Sequence, residues 1–161
     1  MAIPEVASAL KSLAMARNRF LYGIEKVPDD RLEWSRGGSA KSALGLAGKL
    51  AGFLGFIAYM TEHSAMPDRT GPQPLPPATR EEARAALEGA FDGLTGVLSA
   101  LTPADLERTV PTPWGANVPI PDWMHVGNSV IAYHQGQLNY LQLCYGDEDP
   151  NMPPDWGKEQ A

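Results

Sequence analysis

The sequence contains only one cysteine, Cys144, so no disulfide can form within the chain. It also lacks the order of charged, apolar and small residues that marks a secretion signal. These two features lead us to expect a cytoplasmic protein. Because no histidine lies near Cys144 at helical spacing, we predict that this residue is a small buried hydrophobe rather than a nucleophile.

Basic residues are scarce as well. The 161 residues include 13 Lys and Arg against 19 Asp and Glu, which gives a formal net charge of -6. No segment concentrates Lys or Arg, the residues on which binding to a nucleic-acid backbone depends, so we expect no nucleic-acid partner. Walker, Rossmann and nucleophile-elbow motifs are absent too, as are internal repeats.

Four segments carry apolar residues at helical spacing, and they predict helices at about 4–26, 41–62, 80–101 and 121–145. Proline-rich stretches at residues 64–79 and 111–121 separate the last three, and prolines exclude helix and central strand there. A chain of this length can bury one core without disulfides. The pattern predicts a single all-α domain over residues 1–161. We expect a four-helix bundle with long crossover loops and an irregular tail, 147–161, anchored by Trp156.

The second predicted helix is apolar on all sides from residue 43 to residue 60, except at Lys49. Its length would suffice for a membrane span. That interpretation would place Lys49 inside the hydrocarbon and leave the amphipathic helices without a core, so we expect no membrane partner. Glycines at positions 45, 48, 52 and 55 fall on one stripe of this helix. The stripe predicts either the close approach of a neighbouring helix or room for a ligand.

The last predicted helix places polar residues within an apolar stripe. The stripe consists of Trp123, Val126, Val130, Tyr133, Leu138, Leu141 and Tyr145. His134 lies on it, four residues after Val130 and four before Leu138. Two interpretations stay open: a core histidine whose nitrogens are satisfied by neighbours, which is the commoner case, or a functional residue.

Short motifs spread along the chain resemble those of the DinB-like family of four-helix bundles. They are Trp34 before a polar turn, Ser42 at the head of the second helix, the run Pro113-Trp114-Gly115, and the run His134-Gln135-Gly136-Gln137. The resemblance covers about residues 5–146. It implies an up-down-down-up topology and frequent homodimers. It also implies a divalent metal, such as zinc or nickel, held by one histidine of the second helix and two histidines, four residues apart, of the last.

Only one of the three metal-ligand positions that the resemblance implies holds a histidine in this chain. His134 matches the last of them, whereas Val130 and Lys49 occupy the other two. Valine has no ligand atom, and the ammonium of lysine repels a cation. His125 is turned to the opposite face of its helix and His63 lies several turns beyond Lys49, so neither replaces a missing ligand. We therefore predict a degenerate site without a metal cofactor, with zinc or nickel binding as the alternative.

Three functional hypotheses follow from these residues. The first is a metal-free pocket between the second and last helices, in which Lys49 faces His134 and an anionic small molecule, or a buried carboxylate of the protein, pairs with the lysine. Val130, Gln137 and Tyr133 would complete its lining, unless Lys49 extends to solvent and apolar side chains fill the space. The second, implied by the resemblance, is a metal-dependent thiol S-transferase or hydrolase. The third is a non-catalytic structural protein that acts as a homodimer.

Overall fold

The computed structural model describes residues 3–68, 70 and 75–156. Its helices are α1 (Pro4–Lys26), α2 (Ala43–His63), α3 (Arg80–Ser99), α4 (Ile120–Trp123) and α5 (Val126–Cys144). Two short strands, β1 (Thr109–Pro111) and β2 (Asn117–Pro119), pair antiparallel with Val110 opposite Val118. The predicted helical bundle is confirmed, with this small sheet added to it.

Side chains at the helix starts explain where two of the long helices begin. Ser42 Oγ accepts a hydrogen bond from the Gly45 amide at 3.2 Å and caps α2. Thr79 Oγ1 accepts from the Glu82 amide at 3.1 Å and caps α3, and Glu82 Oε2 reaches back to the Ala78 amide at 2.8 Å. Each pair satisfies donors that would otherwise lack partners at the start of a helix.

The long helices form a ring in which α1 and α2 each pack against α3 and α5. α1 and α3 are antiparallel, since Arg17 pairs with Asp92 at 2.6 Å whereas Glu25, further along α1, pairs with the earlier Arg84 at 2.7 Å. The amide of residue 44, at the start of α2, donates to the carbonyl of residue 32, shortly after α1 ends, so the chain reverses there.

α2 and α5 are antiparallel as well. Thr61, near the end of α2, meets Trp123, just before α5, and Phe53 meets His134 further along α5. The directions of the four long helices are therefore up, down, down and up. The core lies inside this ring, and its largest fully buried side chains are Trp123, Phe20, Phe91, Ile24, Leu50, Leu54, Met60, Leu87, Leu94, Leu98, Ile120 and Ile131.

The segment predicted as one helix over 121–145 is in fact interrupted between α4 and α5. At the break, the His125 amide donates to the Asp122 carbonyl at 3.2 Å, which tightens the chain into a turn. The indole of Trp123 is 1% exposed and donates to Thr61 Oγ1 at 3.1 Å, so α4 is held across the end of α2. The interruption depends on a partner 62 residues away, which helical periodicity does not reveal.

The proline-rich stretch at 111–121, predicted to be irregular, contains the last residue of β1 and all of β2. The turn between them uses Gly115 at a φ of +87°, a conformation that favours glycine. Thr112 Oγ1 lies 2.8 Å from the Ala116 carbonyl, to which it donates, and 3.0 Å from the Ala116 amide. This local hydrogen bonding closes the hairpin.

The chain after α5 is irregular, as predicted, but Trp156 does not anchor it. Trp156 is 41% exposed, whereas Asn151 and Pro153 are buried. The carbonyl of Asn151 accepts a hydrogen bond from Arg19 of α1, which ties the tail to the bundle. Residues 157–161 of the predicted tail lie outside the described residues.

In the part of the chain that the structure describes, α2 alone is long and apolar enough to cross a membrane. Half of its apolar window is buried inside the bundle. Burial against α3 and α5 accounts for the hydrophobicity of α2. Cytoplasmic localisation stays a prediction.

Candidate functional site

An open groove of about 990 Å³ runs along one face of α2. Ala86 and Ala90 of α3 line one side, and Pro76 and Pro77, at the end of the α2–α3 crossover, line another. Lys49 lies at this groove and is exposed. The structure therefore places one predicted site residue at a cavity large enough for a small molecule.

The glycine stripe of α2 faces this groove, and its members serve two purposes. A Cβ added at Gly48 would lie 2.7 Å from Cδ of Pro77, so this glycine allows the crossover to approach the helix closely. A Cβ added at Gly52 or Gly55 would meet nothing within 4 Å. The sequence left two explanations of the glycine stripe open, close approach of a neighbouring segment and room for a ligand. The structure shows close approach at Gly48 and open space at Gly52 and Gly55.

These surroundings predict opposite effects of alanine at two positions of one helix. Gly52→Ala is expected to raise the free energy of unfolding by about 0.5–1 kcal/mol, because alanine loses less backbone entropy on folding and its methyl group meets no atom. Gly48→Ala is expected to be at least about 1 kcal/mol less stable than Gly52→Ala, because its methyl group collides with Pro77. Urea unfolding of both variants measures the difference. Equal stabilisation by both alanines would contradict the placement of the crossover.

His134 is buried on α5, with 1% of its surface exposed. Its Nδ1 lies 2.8 Å from the carbonyl oxygen of Val130. A carbonyl cannot donate, so Nδ1 carries the proton and Nε2 presents a lone pair. Within the described residues Nε2 has no hydrogen-bond partner. His134 is therefore a core histidine with one nitrogen satisfied and one free acceptor.

Phe53 lies close to both His134 and Lys49. Its ring centroid is 5.8 Å from that of His134, and the Lys49 ammonium nitrogen is also 5.8 Å from the Phe53 centroid. Burial lowers the pKa of His134, the hydrogen bond to Val130 opposes this, and the positive charge of Lys49 lowers the pKa further. Lys49 is thus close enough to His134 for its charge to act on the imidazole. That the two side chains face each other stays a prediction.

The remaining predicted site residues lie at the outer edge of this contact. Val130 is half-buried and supplies its carbonyl to His134. Gln137 donates from Nε2 to the Tyr133 hydroxyl at 3.2 Å, and its own Oε1 is buried without a partner in the described part of the chain. Tyr133 is 61% exposed, so its predicted place on the inward stripe is wrong. That all five residues line one pocket stays a prediction.

Sequence reasoning missed Phe53, which lines the groove and lies beside the ring of His134. One signal was present: Phe53 stands four residues after Lys49, so the two side chains share a face of α2. Cys144 is half-buried, which agrees only in part with its predicted burial.

A three-histidine metal site does not fit the residues of this chain. Val130 offers no side-chain donor atom, Lys49 brings a positive charge, and His134 alone has a free ligand nitrogen. Among the described residues, no group of three His, Cys, Asp or Glu side chains is placed to hold a metal ion. No step of chemistry is therefore assigned to a metal.

The buried, neutral His134 predicts that the protein loses stability in mild acid. Its pKa is lowered in the folded state, so below about pH 6.5 the unfolded chain takes up a proton that the folded chain does not. This contribution is fully present above that pH and is lost as the pH falls toward the folded-state pKa. Urea unfolding between about pH 7 and about pH 5 should show a decline that His134→Gln reduces. The exposed His125 provides the control: His125→Gln should keep the decline, and a decline unchanged by His134→Gln would contradict the assignment.

Comparison with known proteins agrees with this architecture. A model of the DinB superfamily matches residues 12–138. The fold is similar to the crystal structure of a DinB-like protein (YjoA) from Bacillus subtilis, with a TM-score of 0.67, 14% identity, and coverage of 91% of this chain and 96% of that one. At such identity the similarity concerns the fold alone. No curated protein sequence matches the chain. Because the family model covers well over half of its length, the chain belongs to the DinB superfamily.

Proposed function

We propose that the protein binds a small organic anion with an apolar body in the groove along α2, without using a metal. The position of Lys49 is the observation that carries this proposal. Its ammonium lies at the groove, over the ring of Phe53, and no acidic side chain pairs with it in the described part of the chain. An unpaired cation beside an apolar cavity favours an anion that brings its own apolar surface.

The groove suits such a ligand in shape and in charge. Its volume, about 990 Å³, lies at the upper end of the range of small-molecule sites. The open stretch at Gly52 and Gly55 leaves the helix backbone accessible to a flat apolar group. The charged side chains that line the groove are Lys41, Lys49 and Asp68, so it has two positive charges and one negative charge. The groove is thus locally positive although the whole chain carries a formal charge of -6.

Binding of a fluorescent anionic dye, anilinonaphthalene sulfonate, tests the proposal. Lys49→Met is expected to weaken binding about fivefold, which corresponds to the roughly 1 kcal/mol that a largely exposed ion pair contributes at most. Gly52→Leu is expected to abolish binding, because its side chain occupies the open floor without meeting other atoms at Cβ. Phenylnaphthylamine, an uncharged dye, should bind equally well to the wild type and to Lys49→Met.

Lys26 provides a matched control for the removal of one charge. Like Lys49, it lies over an aromatic ring, with its ammonium 5.0 Å from the centroid of Tyr22, but it lies at the end of α1 and does not line the groove. Lys26→Met should leave dye binding unchanged. Equal affinities of Lys49→Met and the wild type, or an equal loss in Lys26→Met, would refute the proposed site.

A second candidate function, self-association, is favoured by the outer face of α5. This helix of 19 residues contains no Asp, Glu, Lys or Arg. Tyr133, Tyr140 and Leu143 on it are 61%, 58% and 58% exposed. Uncharged aromatic surface of this kind is typical of interface cores. Analytical ultracentrifugation should detect a dimer that Tyr140→Glu dissociates. A monomer at all accessible concentrations would exclude this function.

The metal-dependent thiol transferase or hydrolase has less support. Either reaction needs a metal to activate a thiol or a water, and the ligand positions hold valine and lysine. An organic anion placed at Lys49 requires no such ion.

A further inference from the structure

The α2 side of the groove carries its positive charge at one end. Lys41 lies two residues before α2, and its side chain covers Gly45, with Cβ at 3.3 Å and Cδ at 3.8 Å from a Cβ added there. Lys49 follows about one helical turn later. The remaining residues of α2 in the lining, beyond Lys49, are Ala51, Gly52, Phe53, Gly55, Phe56 and Tyr59. None of these is charged, so both cations of α2 and its start lie at the same end.

The open floor of the groove begins beside Lys49 and continues along α2. Gly52 and Gly55 are exposed, and a Cβ added at either would meet nothing within 4 Å. Tyr59, the last residue of α2 in the lining, stands ten residues after Lys49, or about 15 Å along the helix. With C–C bonds of about 1.5 Å, an extended saturated chain of about twelve carbons has roughly this length.

The walls of the groove offer apolar contact and few hydrogen bonds. Ala86 and Ala90, four residues apart on one face of α3, leave that side free of long side chains. Leu75 of the crossover is 92% exposed and Tyr59 is 39% exposed, although both line the groove. Among the described residues of the lining, the Tyr59 hydroxyl is the only uncharged polar side-chain group. A ligand therefore gains mainly by covering apolar surface.

We propose that the ligand is an unbranched alkyl acid of about ten to twelve carbons, whose carboxylate pairs with Lys49 and whose chain lies along α2 toward Tyr59. This inference rests on the proposed function, the binding of an organic anion at Lys49, and names the class of that anion. A sugar phosphate or a nucleotide would bring hydroxyl groups that find few partners here. A compact aromatic acid would leave the floor between Gly55 and Tyr59 in contact with water.

A series of acids of increasing length measures the length of the site. Octanoate, decanoate, dodecanoate and tetradecanoate are titrated by isothermal calorimetry, each below its critical micelle concentration. Affinity is expected to rise about fourfold with each added pair of carbons up to dodecanoate, which corresponds to about 0.8 kcal/mol, half of what full burial of two methylenes gives. Tetradecanoate should gain nothing further, because its last carbons extend past Tyr59 into water.

Gly55→Leu is expected to shorten the site. Its Cβ meets no atom, and leucine has a higher helix propensity than glycine, so the variant should fold, which urea unfolding checks. The leucine side chain arises about 9 Å beyond Lys49 along α2. Affinity should therefore stop rising at about octanoate, while octanoate itself binds as it does to the wild type.

A second leucine and the loss of the lysine provide the controls. Gly136 of α5 is exposed, would also meet nothing at Cβ, and does not line the groove, so Gly136→Leu should keep the length dependence of the wild type. Lys49→Met should weaken the binding of all four acids by the same factor, about fivefold, and keep the dependence on length.

The outcomes distinguish this inference from the proposed function. An affinity that rises from dodecanoate to tetradecanoate as steeply as before would overturn the inference, because a groove of fixed length would not produce it. An unchanged length dependence in Gly55→Leu would overturn it as well, as would failure of all four acids to bind while the anionic dye still binds through Lys49. No binding of the acids together with no binding of the dye would refute the proposed function itself.

Discussion

Replacing Arg80 with methionine is expected to lower the free energy of unfolding by about 2–4 kcal/mol. The guanidinium, on a side chain only 17% exposed, donates to the carbonyls of Ile24 and Val27 and to the carboxylate of Asp29, each at 2.6 Å. It thereby satisfies carbonyls at the end of α1 and ties them to the first turn of α3. Methionine keeps the apolar stem but removes all three bonds and leaves buried carbonyls without a charged donor.

Arg84, one turn further along α3, provides the matched control. It forms ion pairs with Glu25 at 2.7 Å and Glu88 at 3.0 Å, but its side chain is 49% exposed. Arg84→Met is therefore expected to change stability by less than about 1 kcal/mol. Chemical unfolding followed by circular dichroism measures both variants. Similar losses from Arg80→Met and Arg84→Met would show that the carbonyl contacts of Arg80 contribute little.

Introducing two histidines, by Lys49→His and Val130→His together, is expected to give a variant that retains a zinc ion through gel filtration. Positions 130 and 134 are four residues apart and share a face of α5, and Lys49 is close enough for its charge to lower the pKa of His134. The hydrogen bonding of His134 also suits it to bind a metal ion. Its Nδ1 donates to the Val130 carbonyl, the outer hydrogen bond that commonly orients a metal-bound imidazole, and Nε2 is free.

The two single variants and one displaced pair control for adventitious binding. Lys49→His or Val130→His alone provides at most two of the three ligands and should release zinc during gel filtration. The pair Lys49→His with Ser129→His moves one imidazole off the shared face and should behave like the single variants. A folded Lys49→His/Val130→His variant that gains no zinc over these controls would contradict the alignment of Lys49 with the metal-ligand position.

Local sequence patterns were sufficient to predict most of the fold. The four helical segments, the proline-bearing links and the cap formed by Thr79 and Glu82 depend on residues close together in sequence, and the structure has them within a few residues of their predicted bounds. The break between Trp123 and Val126 was not predictable in this way. It is stabilised by Thr61, a residue of another helix, and periodicity carries no information about such a contact.

The candidate site, too, was predictable from the sequence only in part. Helical spacing placed His134 on the inner face of α5 and Lys49 on the glycine-bearing helix, and both assignments depend only on the helical repeat. The spacing also placed Tyr133 inward, yet its ring is 61% exposed. Periodicity predicts the direction in which a side chain points from the helix axis. It does not predict whether a neighbouring helix covers that direction.

The sequence by itself therefore determined the helices, their order, the family resemblance and the presence of lysine at position 49 and valine at position 130, because each depends on residue type and local spacing. Only the tertiary structure decided that Phe53 lies close to both Lys49 and His134, that the groove opens between α2, α3 and the crossover, and that Gly48 and Gly52 have different surroundings. These features depend on which side chains of separate helices occupy the same space. The packing of the helices determines which side chains meet, and the sequence of a single segment does not specify this packing.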